Sequence, residues 1–131
     1  MKTVLFVCVH NAGRSQMAEA FLNSIGGDAW RAESAGTLGA GSLNPMAVQA
    51  MEEIGISMAT HVPKQLDKAM VGRADVIVSM GCGVNADACP AKFLVTEDWG
   101  LDDPAGQPIE RVREIRDQIR LKVEAFISRE K

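Results

Sequence analysis

Cys8, Arg14 and Ser15 stand in one short run, Cys8-Val9-His10-Asn11-Ala12-Gly13-Arg14-Ser15, between an apolar stretch and a helix-forming one. The thiolate is the nucleophilic form of cysteine. It forms where amide dipoles, a helix N-terminus or a cation offset its charge. A loop that turns backbone N–H groups inward and ends on a helix N-terminus provides two of these, and is itself an anion site. Arg14 adds a planar fork suited to the oxygens of a tetrahedral oxyanion. Gly13 permits close backbone approach or a positive φ, and the Ser15 hydroxyl can donate to the sulfur. Cys8 is therefore read as the nucleophile. Val9, His10, Asn11, Ala12, Gly13, Arg14 and Ser15 are read as the lining of the oxyanion site. A merely buried thiol at a strand end would suit a lone cysteine better than one with Gly-Arg-Ser at this spacing.

A departing oxygen needs a proton. The polar run 97–106 contains Asp98, Asp102 and Asp103. Asp103 is the candidate general acid, because Pro104 stiffens the chain directly after it. Asp98 and Asp102 are read as solvated turn residues.

The two remaining cysteines, Cys82 and Cys89, lie in a Gly- and Asn-containing segment that ends at Pro90. Cys-x6-Cys is not a common zinc spacing, and the two histidines, His10 and His61, are distant in sequence. That leaves a buried structural pair or a redox pair. His10 is read as a loop residue beside the nucleophile, and His61 as a turn residue before a helix.

These residues need a frame. The chain has 131 residues, 47% of them hydrophobic, enough for a single domain with one core. Its net charge of −3 argues against a nucleic-acid binder, so an anion must be drawn in by local groups. No run of residues suits a signal peptide or a membrane helix. A cytoplasmic location is expected, where thiols stay reduced and three cysteines cannot form a full set of disulfides. Apolar, β-branched runs predict strands over 3–8, 30–35, 74–79 and 92–96. Helices are predicted from Ser15 to the Gly26-Gly27 pair, from Asn44-Pro45 to about Gly55, over 64–71 and over 109–127. Ser15 is placed as the N-cap or a first-turn residue of the first helix, with Glu19 nearby. Strands alternating with helices predict a four-stranded parallel sheet covered on both faces. In such a sheet the loops at the carboxyl ends of the strands hold the ligand, so the three candidate segments converge there.

Cys-x5-Arg-Ser directly after the first strand resembles the phosphate-binding loop of low-molecular-weight protein tyrosine phosphatases, and of the thioredoxin-coupled arsenate reductases that share their fold. VCVHNAGRSQMAEAF (7–21), Ser34-Ala35-Gly36 and Asn44-Pro45-Met46-Ala47 resemble the reductases more closely. The resemblance covers essentially the whole chain, 1–131, and implies the flavodoxin-like winding of that family. Asp103-Pro104 matches the family's general-acid position. Phosphatases of this fold usually follow it with tyrosine, whereas this chain has Ala105 and no tyrosine at all. A deep aromatic slot is therefore not expected, and a small inorganic substrate fits better.

Cys82 and Cys89 match the redox pair of the thioredoxin-coupled reductases. The resemblance thus implies arsenate as substrate, a relay through Cys8, Cys82 and Cys89, thioredoxin as partner, and no metal or organic cofactor. The alternative it leaves is a phosphatase acting on phosphotyrosine or small phosphate esters. Asn11, Glu19 and Ser34 also match positions where some relatives hold potassium. The fourth, acidic position falls at Lys64, so its ammonium is expected to bring the positive charge instead. In a helix over 81–89, Cys82 and Cys89 would be separated by roughly 10.5 Å, and a disulfide needs Cα atoms within about 4.4–6.8 Å. The relay therefore requires that segment to unwind when the pair oxidises.

Overall fold

The computed structural model describes residues 2–8, 10–36, 41–80, 97–101, 104 and 106–129. Four parallel strands form one sheet: β1 (Lys2–Cys8), β2 (Trp30–Gly36), β3 (Val76–Ser79) and β4 (Glu97–Asp98), in the order β2-β1-β3-β4. Cys8 pairs with Gly36 at the carboxyl end of β1, and Val7 pairs with Ser79. The chain steps to one side of β1 for β2 and to the other for β3, so Cys8 stands at the switch point where open α/β sheets bind ligands.

β1 alternates between two cores, as the two-residue period of a strand requires. Val4, Phe6 and Cys8 face the larger one, with Met17, Phe21, Trp99, Ile115, Ile119 and Phe126. Leu5 and Val7 face the smaller one, with Ala35, Leu66, Met70 and Ile77. The larger core lies under α1 (Arg14–Ile25), α2 (Pro45–Glu52) and α4 (Ile109–Arg129); the smaller is covered by α3 (Lys68–Arg73). On α4, Val112, Ile115, Ile119, Val123 and Phe126 are buried, the stripe expected of an amphipathic helix. No helix among the described residues is long and apolar enough to cross a membrane.

Several boundaries differ from the sequence expectation; β3 starts at Val76 and not at Ala74, and α2 ends at Glu52, short of Gly55. The helix predicted over 64–71 begins only at Lys68. Gln65 instead makes a parallel bridge to Gly36, and Asp67 caps the helix by accepting from the Met70 N–H. Helix periodicity cannot register a bridge that continues a sheet edge. Glu97–Asp98 pairs with Val78 and Ser79 as β4, where a loop was expected. The strand predicted over 92–96 lies outside the described residues. α1 starts one residue early, with Gly13 as its N-cap and no side-chain cap, so Ser15 is a first-turn residue and Glu19 has no capping role.

Candidate active site

The described part of the site is the turn between β1 and α1. Asn11 adopts φ 56°, the one positive value on a non-glycine described residue, and this bends the chain back over the strand end. Its backbone N–H donates to Cys8 Sγ at 3.1 Å. Ser15 Oγ lies 2.8 Å from the same sulfur. Cys8 is almost fully buried, and its sulfur meets both groups at the N-terminal end of α1. A backbone N–H that donates to a sulfur beside a helix N-terminus favours the thiolate.

Beside the sulfur lies a cavity of about 50 Å³, lined by Cys8, His10, Ala12, Gly13, Arg14, Asn44 and Pro104. Space of that size holds roughly three or four water-sized atoms, on the scale of the oxygens of one tetrahedral oxyanion. Arg14 is 6% exposed, and its Nη1 donates to the Leu101 carbonyl at 2.8 Å. That bond joins the β1–α1 turn to the segment after β4. A second contact does the same: a Cβ on Gly13 would stand 2.9 Å from Pro104 Cγ, so the ring is seated against a residue without a side chain. Gly13 has φ −137°, so close approach and not a left-handed backbone calls for glycine here.

The structure thus brings Cys8, His10, Ala12, Gly13 and Arg14 to one cavity, with Ser15 on the sulfur. Asn11 turns its side chain into the protein and meets the sulfur only through its backbone. Val9, Asp103, Cys82 and Cys89 lie outside the described residues.

Behind the turn is a polar cluster that the sequence reading only partly anticipated. Glu19, 8% exposed, accepts from Ser34 Oγ at 3.1 Å and from Lys64 Nζ at 3.3 Å. Lys64 therefore brings its charge to the carboxylate beside which it was expected. His61 is more than a turn residue: its Nδ1 lies 2.8 Å from Gln16 Oε1 and 3.2 Å from Glu19 Oε2. Neither Gln16 nor His61 was singled out as functional from the sequence. Gln16 carried one usable signal, a place directly after the loop on the same helix face as Glu19. His61 carried none, being 45 positions from its partner.

The site is thus a buried cysteine at the switch point of a parallel sheet, with an arginine lining the same small cavity, an arrangement that suits thiolate attack on a tetrahedral oxyanion. The chain belongs to the family "Low molecular weight phosphotyrosine protein phosphatase", whose pattern it matches over residues 3–131. It is 38% identical over 130 residues to "Arsenate reductase 2" of Staphylococcus haemolyticus, the match covering 98% of each chain. It superposes on a solved "arsenate reductase in the phosphate binding state" with a TM-score of 0.87, at 37% identity and 98% coverage of both chains. It also resembles the "thioredoxin-dependent arsenate reductase Cg_ArsC1'" of Corynebacterium glutamicum. There the TM-score is 0.77 and the identity 33%, with 100% of this chain and 64% of that one covered.

Proposed function

We propose that this protein is a cytoplasmic arsenate reductase that draws its electrons from thioredoxin. The observation that carries the reading is the activated setting of Cys8 beside an oxyanion-sized cavity, in a chain with two further cysteines. Full-length similarity to proteins named arsenate reductases supports it.

In this mechanism arsenate occupies the cavity against Arg14 and the turn amides. The Cys8 thiolate attacks arsenic, an S–As bond forms, and one oxygen leaves as water with a proton from Asp103. The thiolate of Cys82 then attacks Cys8 Sγ. The S–As bond breaks with its electron pair passing to arsenic, so As(V) becomes As(III) and a Cys8–Cys82 disulfide remains. Cys89 attacks Cys82 and frees Cys8, leaving a Cys82–Cys89 disulfide. The thioredoxin dithiol reduces that bond by exchange and is itself oxidised. The reaction uses no metal or organic cofactor.

The family's phosphatase chemistry is the second reading, favoured by the fact that Cys8, Arg14 and Asp103 suffice for it. Against an aryl substrate stand Ala105 after Pro104 and the lack of any tyrosine. The test supplies arsenate with thioredoxin, thioredoxin reductase and a nicotinamide donor. Arsenate-dependent oxidation of the donor, with arsenite formed in step, is the expected result. Hydrolysis of an aryl phosphate with no arsenate-dependent consumption of the donor would replace this reading with the phosphatase one.

A further inference from the structure

We infer that Gln16 and the segment 61–64 are positioning elements for the nucleophile: they fix the direction of a buried chain of hydrogen bonds so that the Ser15 hydroxyl must donate to Cys8 Sγ. The inference rests on Cys8 being the nucleophile and goes beyond the residues assigned to the reaction above.

Two backbone groups, whose roles cannot reverse, set the direction of the hydrogen-bond chain from its outer end. The Lys64 N–H can only donate, and it reaches Asn11 Oδ1 at 2.8 Å. The Val62 carbonyl can only accept, and Gln16 Nε2 lies 2.9 Å from it. That fixes which end of the Gln16 amide is nitrogen, and the second hydrogen of Nε2 goes to Asn11 Oδ1 at 2.9 Å. Gln16 Oε1 is then an acceptor, so His61 Nδ1, placed between it and Glu19 Oε2, carries the hydrogen. With Oδ1 held by two donors, Asn11 must turn Nδ2 toward Ser15, and it does so at 2.7 Å. Nδ2 can only donate, so Ser15 Oγ accepts there. The hydroxyl's single hydrogen is left for the atom 2.8 Å away on its other side, Cys8 Sγ.

Unanchored, the pair has a second arrangement. An Asn11 amide turned over would present Oδ1 to Ser15, and the hydroxyl would donate to it and not to the sulfur. Both anchors against this come from one short segment, which the sheet holds in turn: the Gly36 N–H at the end of β2 donates to the Lys64 carbonyl at 2.9 Å. Asn11, Ser15 and Gln16 are fully buried, so water cannot easily replace a lost partner. Among the described residues no buried side-chain nitrogen or oxygen lacks a partner.

The test reads the sulfur itself. Iodoacetamide alkylation of the reduced full chain is followed against pH, with the Cys8, Cys82 and Cys89 peptides quantified separately by mass spectrometry. Below the thiol's midpoint the rate tracks the thiolate fraction. There Ser15→Ala should slow Cys8 by about tenfold or more, the loss of one hydrogen bond to a charged atom. Gln16→Met, which leaves the Lys64 anchor, should slow it by about threefold. In the double variant, Cys8 should react no more slowly than in Ser15→Ala alone, because Gln16 acts through Ser15. His61→Phe, at a partly exposed site, should show the same pattern more weakly and serves if Gln16→Met fails to fold. Slowdowns that multiply in the double variant, or Cys8 rates unchanged in both Gln16→Met and His61→Phe, would overturn the inference. A wild-type Cys8 that reacts no faster than Cys82 and Cys89 would sink the nucleophile reading and this inference with it. An activated Cys8 whose rate ignores Gln16 and His61 would sink this inference alone.

Discussion

Glu53, just past the end of α2, takes hydrogen bonds from Arg113 Nε at 2.9 Å and Nη2 at 2.6 Å, and from Arg116 Nη1 at 3.2 Å. Behind Cys8, Asn11, Ser15 and Gln16 form a larger cluster, closed by Glu19, His61 and Lys64. The first cluster ties α2 to α4 in contact with water, with the Glu53 and Arg113 side chains 30% and 40% exposed. Its partners are held by charge, which solvent screens. The second is buried, and there what matters is which atom holds each hydrogen. Hydrogen-bonded polar clusters thus serve as a fastening in one place and as a directed field on a sulfur in the other. Substitutions in the two clusters should separate cleanly into stability effects and reactivity effects.

The largest effect is expected at the end point of the buried cluster. Cys8→Ser should abolish arsenate reduction and any side phosphatase activity, since a hydroxyl in the same turn is not ionised near neutral pH. Its melting temperature should stay near that of the wild type. Turnover retained by that variant would break the distinction at its root. Arg14→Lys comes next. An ammonium cannot reproduce the fork that reaches the Leu101 carbonyl while serving the cavity, so kcat/KM should fall by about 10²- to 10³-fold. A near-normal value would make Arg14 a structural fastening like Arg113.

Gly13→Ala tests the seat of Pro104. The new methyl would displace the ring and the Asp103 beside it, so kcat should fall by about tenfold or more with a smaller change in KM. Adding Pro104→Ala should recover most of the loss, whereas a defect in the turn itself would persist. The smallest effect belongs to the exposed cluster. The guanidinium of Arg113, aided by that of Arg116, holds the Glu53 carboxyl below its ordinary range. The unfolded chain therefore binds the proton more readily than the folded one. The stability this gives is present above the ordinary carboxylate range and is lost as pH falls through the lower folded value. Glu53→Gln should lower the melting temperature slightly at neutral pH, flatten its fall on acidification, and leave kcat/KM unchanged.

Much of this arrangement was legible in the sequence because its parts are local. The Cys8–Ser15 run, the Asn44-Pro45 helix start and the α4 stripe are each set by near neighbours, and the structure keeps them. Residues 64–67 were not legible, because their place depends on Gly36 across the sheet edge. The same holds for His61 and Gln16, whose pairing joins distant parts of the chain. Buried polar direction is a property of the assembled cluster, and no spacing along the chain encodes it. Cys82, Cys89 and Asp103 remain assignments from motif and chemistry, to be tested in solution.

The most direct test of the proposed function is a single-turnover experiment with Cys89→Ser. Reduced protein is mixed with excess arsenate and thioredoxin, arsenite is counted, and the disulfide formed is mapped by mass spectrometry. The relay predicts one arsenite released per chain and then arrest, with a Cys8–Cys82 disulfide accumulating. Continued turnover by this variant, or arrest with no Cys8–Cys82 bond, would contradict it.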